Sequence, residues 1–215
     1  MKKHTKFKEN VVVEKKSNKT TYIAIFFATI MVFSVLSVFF QNPTQDTEYT
    51  YGKYAFKSIS TTGQWSTKIN GKETLFYFLP AQISNMEIPV DVIPLIKNSQ
   101  ATIIAFNPEI NESNKLQVVD LFRYDVGIAF SQKFPEKQLG YAVTKSTTAY
   151  ALPELSCVNA SYYMPIMVLD YSNETKIISE NSCIKISALT EYDLLQIMDY
   201  LKYSIYGVLD EEAKE

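Results

Sequence analysis

Between Thr21 and Phe40 the chain has no charged residue, no Pro and no Gly. Nothing else in the sequence limits its fold so strongly. Twenty such residues in a helix reach about 30 Å, the thickness of a bilayer's hydrocarbon core. Lipid cannot satisfy free backbone groups, so a helix is the form such a stretch must take there. Thr29, Ser34 and Ser37 are compatible with that setting, because a helical hydroxyl can bond back to the carbonyl one turn earlier. Residues 21–40 are therefore expected to be a transmembrane signal-anchor helix. The flanks set its direction. Residues 1–20 hold seven Lys against Glu9 and Glu14, a net charge of +5, and the remaining residues carry −7. Lysines next to a span stay on the cytoplasmic side, and they also suit anionic lipid headgroups. The expectation is a single-pass protein in the cell membrane with a cytoplasmic segment 1–20 and an extracytoplasmic remainder. The alternative is a cleaved signal peptide with Ser34 and Ser37 framing the cut, although no Ala-x-Ala pattern comes after the run.

The chain beyond the anchor has the length of one domain, and its apolar content excludes a disordered chain. Residues 41–53 are polar, with Pro43 and Gly52, and are expected to form a stalk. The domain is placed at 54–209, with an acidic tail at 210–215. Within it, Tyr54 to Ile59 alternates as a strand does. Trp65–Ile69 and Thr74–Phe78 flank Asn70-Gly71, the pair that best accepts a tight hairpin turn. Thr102–Phe106 is a continuous apolar run suited to a central strand. A helix is predicted over Glu112–Phe130, with Leu116, Val119, Phe122, Val126 and Ala129 on one face. Tyr141–Val143 suggests a short strand. Ile166–Leu169 and Lys176–Ile178 bracket Ser172-Asn173-Glu174 as a second hairpin, and Cys183–Ser187 suggests another strand. The last helix, Glu191–Val208, is capped by Thr190 with Asp193 three residues on, and carries Leu194, Ile197, Met198, Leu201, Ile205 and Val208 as its apolar stripe. The fold expected is a single α/β or α+β domain, with a mixed sheet of about five strands and two or three helices. A strand after Pro165, a hairpin and a closing helix make the C-terminal part resemble the corresponding half of a thioredoxin-like domain. Thioredoxin-type enzymes carry Cys-x-x-Cys at a helix start; this chain has no such pair, so the resemblance implies no redox activity.

The chemistry open to this domain is narrow. His4, the one imidazole, precedes the anchor, so neither a Ser-His-Asp nor a Cys-His arrangement can form in the exterior part. The glycines at 52, 63, 71, 127, 140 and 207 match neither nucleotide-binding nor P-loop spacing. Two cysteines without a nearby His do not make a closed zinc site. No catalytic, cofactor-binding or metal-binding residue is predicted, and the acidic exterior disfavours nucleic acid. Arg123 is expected in an ion pair with a nearby carboxylate rather than on an anion. Cys157 and Cys183 are expected to pair as a disulfide in an oxidising compartment; the alternative is two buried thiols. Asn111, Asn159 and Asn173 sit in Asn-x-Ser/Thr sequences and are glycosylation candidates, as Asn18 would be but for its cytoplasmic placement. Tyr192, Tyr200, Tyr203 and Tyr206 crowd the last helix, and are either an interaction surface or a wide half-buried face. The function expected is that of a non-enzymatic interaction or accessory subunit of an envelope or membrane complex, with the bilayer and another membrane or envelope protein as partners. The alternatives are an extracytoplasmic small-ligand-binding or sensory domain and, with less support, a carboxylate-dependent wall hydrolase.

Overall fold

The computed structural model describes residues 22–23, 25–32 and 47–210. Residues 1–45 and 46–215 are separate units. In the first, residues 22–23 and 25–32 are helical and exposed. The Thr29 hydroxyl donates to the Ile25 carbonyl at 2.7 Å, the back-bond expected of it. The rest of the 21–40 stretch, the segment 1–20 with His4 and Asn18, residues 41–46 and the tail 211–215 lie outside the described residues. No helix among the described residues is long and apolar enough to cross a membrane.

Strand formation starts earlier than the stalk assignment allowed. Glu48–Tyr51 is a strand, β1, so residues 48–53 belong to the folded domain. It opens an antiparallel meander, β1-β2-β3-β4, with β2 at Tyr54–Ile59, β3 at Gln64–Ile69 and β4 at Lys72–Phe76. The β3–β4 turn is the expected Asn70-Gly71, both left-handed with φ of 51° and 78°, as a tight primed turn requires. Two short helices come next, α1 at Pro80–Ile83 and α2 at Val92–Asn98. Pro94 falls in the first turn of α2, where a backbone N–H has no helical partner to lose.

The second sheet has five strands in the order β6-β5-β7-β9-β8. The strand β5 is Ala101–Phe106, and α3, Ser113–Lys133, leads from it to β6, Gln138–Val143. After a long connection come β7 at Ile166–Tyr171, β8 at Lys176–Glu180, β9 at Cys183–Ala188 and α4 at Glu191–Tyr206. The strands β6, β5, β7 and β9 run parallel, and β8 is an antiparallel edge. The domain is thus a mixed α/β fold with a five-strand mixed sheet, plus a four-strand sheet not anticipated as a separate layer. The hairpin expected around Ser172-Asn173-Glu174 does not form: β7 and β8 are not neighbours, because β9 lies between them. The hairpin is β8–β9, closed by Asn181-Ser182 with φ of 50° and 65°. Burial explains the choice. The apolar β7 takes neighbours on both sides, while the half-exposed β8 takes the edge. The strand after Pro165, β7, thus runs parallel to β9 instead of opening the hairpin on which the thioredoxin-like resemblance rested.

The layers arise from the apolar faces. Helix α3 buries Val119, Phe122, Val126 and Ala129 as expected, with Leu116 partly buried. Helix α4 packs along α3 and against β9, while Phe56 and Phe76 of the meander lie on Tyr203 of its other side. The helix is therefore held between two sheets. The opposite face of the five-strand sheet, with Ala105, Ala142 and Ile166, is covered by Leu155 and Ala160 of the connection 144–165.

Candidate functional site

The connection between β6 and β7 is long, and loops of that length in a compact domain are usually functional. It is pinned at three points. Val143 pairs with Glu154 at the β6 edge, and Ser161 pairs with Met164 across a tight turn. The third point is the disulfide between Cys157 and Cys183, which ties a 3-10 turn, Cys157–Asn159, to the start of β9. The pairing expected from the sequence is therefore formed. Between these pins the chain displays apolar groups to solvent. Val158 is 90% exposed, Tyr162 55% and Tyr163 63%. The two tyrosine rings meet edge to face at 5.6 Å. The backbone beneath them is fixed, because the Tyr163 carbonyl accepts from the N–H groups of both Gln100 and Ala101, at 3.0 and 3.1 Å. Reasoning from the sequence missed this aromatic turn; its only signal there was Tyr-Tyr placed between a cysteine and Pro165.

The helix tyrosines behave differently. Tyr192 is exposed and packs edge-on against Phe78, and Tyr200 is partly covered. Tyr203 and Tyr206 are buried, which corrects their assignment as interaction candidates. The Tyr203 ring stacks on Phe76 at 4.0 Å and its hydroxyl donates to the Phe78 carbonyl at 2.6 Å. The Tyr206 hydroxyl donates to Gln132 Oε1 at 3.1 Å. Burial pushes both phenols above their ordinary range. The cause of the correction is the second sheet: a helix with two covered flanks buries residues that a one-sided stripe would leave outside.

A polar cluster holds that second flank. Lys202 Nζ donates to the Leu75 carbonyl at 2.6 Å, to Asp125 Oδ2 of α3 at 2.8 Å and to Asp199 Oδ1 at 3.4 Å. Asp199 Oδ2 accepts from the N–H groups of Tyr77 and Phe78, at 2.5 and 2.9 Å. Residues 75 and 77 are two apart on the open side of β4. One turn of helix thus supplies an ammonium and a carboxylate where a further strand would supply N–H and C=O. The edge is closed by side chains, which removes a template for intermolecular pairing. Burial raises the Asp199 carboxyl to about 6; Lys202 and the two backbone N–H groups pull it back. Beside this cluster lies a cavity of about 230 Å³, lined by Thr74, Leu75, Asp125, Ile128, Gln132 and Tyr206, among others.

The remaining candidates are dispersed. Asn111, Asn159 and Asn173 are all exposed. Asn159 Oδ1 accepts the Ser156 N–H at 3.0 Å, so that amide also caps the 3-10 turn. Arg123 forms the expected ion pair, with Asp120 at 2.7 Å, and its guanidinium lies between the Phe106 and Tyr141 rings. Among the described residues no group of three or more His, Cys, Asp or Glu could hold a metal ion. Comparison with known proteins brings no match: no family model, no curated protein and no solved structure is significantly similar to this chain.

Proposed function

We propose that this chain is a single-pass, membrane-anchored extracytoplasmic protein that engages another membrane or envelope protein, as an accessory subunit, through the turn bearing Val158, Tyr162 and Tyr163. The observation that carries the reading is the exposure of these residues on backbone stapled by the Cys157–Cys183 disulfide. Rigid tyrosines give large contact area at low entropic cost and are enriched at the centres of interfaces. The disulfide itself suits an oxidising compartment, in keeping with the uncharged stretch 21–40 and the lysines before it. The test is purification of the full-length protein from native membranes in mild detergent, alongside a Tyr162→Ser/Tyr163→Ser variant. A stoichiometric partner held by the wild type and lost from a folded variant is the expected result. Release of the wild type from membranes by alkaline carbonate overturns the anchor. A partner retained equally by both proteins overturns the turn as the contact.

A further inference from the structure

Side chains of α4 close the outer edge of β4, but β8 ends the five-strand sheet with β9 as its one strand neighbour. In an antiparallel pair only alternate residues turn their N–H and C=O groups to the partner strand, and the others turn theirs away. Among the described residues no other backbone segment hydrogen-bonds to that outer side. A Pro, a bulge or a charge in mid-strand would blunt such an edge. The strand Lys176-Ile177-Ile178-Ser179-Glu180 has none of these. It pairs with β9 without a break, from Lys176 opposite Ser187 to Glu180 opposite Cys183.

A second observation says what this edge fits. Its two charges stand at its two ends and have opposite signs. Laid antiparallel to a copy of itself about Ile178, the strand sets Lys176 opposite Glu180, Ile177 opposite Ser179 and Ile178 opposite Ile178. Each pair joins positions separated by an even number of residues, so outward backbone groups meet outward backbone groups. Both ion pairs and the Ile178 contact then lie on one face of the sheet. On the other face Ile177 packs against the core, and the Ser179 hydroxyl donates to Asp91 Oδ2 at 2.6 Å. Lys176 has a rival partner in Glu174, at 4.0 Å, but both side chains are exposed and such a pair is worth little.

From this arrangement we infer that β8 is a docking edge for a second copy of this chain. The two copies pair antiparallel about Ile178, and their five-strand sheets join into one continuous sheet. A strand carrying one sign of charge would attract one end of β8 and repel the other, whereas a copy of β8 attracts both. The pairing uses neither the anchor nor the aromatic turn.

The experiment is sedimentation velocity of the full-length protein in non-ionic detergent over a range of concentrations. A reversible monomer–dimer equilibrium is expected. Lys176→Glu sets like charges opposite each other at both ends and should raise the dimer Kd about tenfold. Lys176→Glu/Glu180→Lys restores opposite charges and should recover the dimer. Both positions are exposed, so neither change strains the fold. Cross-linking reads the register. Two copies of Ile178→Cys bring their Cα atoms to about 4.5–5.5 Å, within reach of a disulfide. Two copies of Ile177→Cys meet only diagonally, at about 7–8 Å. Mild oxidation should therefore link the first variant into a covalent dimer and leave the second unlinked. A wild type that is monomeric at every concentration overturns the proposal. A dimer undiminished by Lys176→Glu, or not recovered in the double variant, overturns this edge. Equal cross-linking of the two cysteine variants overturns the register.

Discussion

Helices α3 and α4 carry the same local device in different surroundings. Each has an acid followed three residues later by a base: Asp120 and Arg123 on α3, Asp199 and Lys202 on α4. On α3 the pair is the closer, at 2.7 Å, but Asp120 stands in solvent. On α4 the pair is 3.4 Å apart and both members are buried, each also bonded to β4 or the residues just after it. Distance alone would rank them the wrong way round. Solvent screens the first pair to little net value, whereas the second cannot lose a member without stranding a charge in the interior.

The largest test of this contrast is Lys202→Met, which leaves Asp199 and Asp125 without their shared cation. Denaturant unfolding is expected to show a loss of about 3–5 kcal/mol. Adding Asp199→Asn to that variant should recover part of it; a double variant as unstable as the sum of the singles would mean that the pair is not coupled.

Next comes pH. The folded Asp199 carboxyl titrates near 6, above the ordinary 3.8. The folded state therefore holds this proton more tightly than the unfolded chain does. Its contribution makes stability rise as pH falls from about 6 to about 4, opposite in sign to a surface carboxylate paired with a lysine. The shift corresponds to about 2–3 kcal/mol. The slope should vanish in Asp199→Asn and survive in Asp120→Asn, as followed by melting curves between pH 7 and 4.

Gly127 sharpens the comparison from the α3 side. Helix propensity predicts that Ala there would gain about 1 kcal/mol. A β-carbon at that position, however, overlaps the Tyr141 hydroxyl, which donates to the Arg123 carbonyl at 3.2 Å. Gly127→Ala is expected to lose about 1–2 kcal/mol by displacing this contact. In a Tyr141→Phe background the same substitution should become neutral or stabilising. The smallest effect belongs to Asp120→Asn, expected to change stability by under about 1 kcal/mol because the Asp120 carboxylate is exposed. A loss comparable to that of Lys202→Met would erase the distinction drawn between the helices.

The two helices also differ in how much of them could be inferred from sequence. Both periodicities were legible, and so was the Thr190–Asp193 cap, with Thr190 Oγ1 accepting the Asp193 N–H at 3.2 Å and Asp193 Oδ2 the Thr190 N–H at 2.9 Å. For α3 the apolar stripe is the buried face. For α4 it is only half of what is buried, and Asp199, Lys202, Tyr203, Ser204 and Tyr206 complete the rest. The same limit applied to the candidate sites. The disulfide was inferable from two cysteines and a compartment, but the exposure of Val158, Tyr162 and Tyr163 was not. It depends on which residues of the connection fold down over the sheet, as Leu155 and Ala160 do.

Sequence by itself determined what local rules govern: the Asn70-Gly71 turn, the central character of Thr102–Phe106, the span and cap of α4, the periodic face of α3. Those features depend on backbone preference and on one contact face, and both are written within a few consecutive residues. Only the tertiary structure decided which strand stands beside β7, that the N-terminal meander forms a second sheet over α4, and that an acid and a base one turn apart close the edge of β4. Strand order, double-sided burial and the pairing of a helix with a strand edge are set by competition among surfaces far apart in the chain. β9 displaces β8 from β7 because two buried strands side by side remove more apolar surface from water than one buried strand beside a half-exposed one.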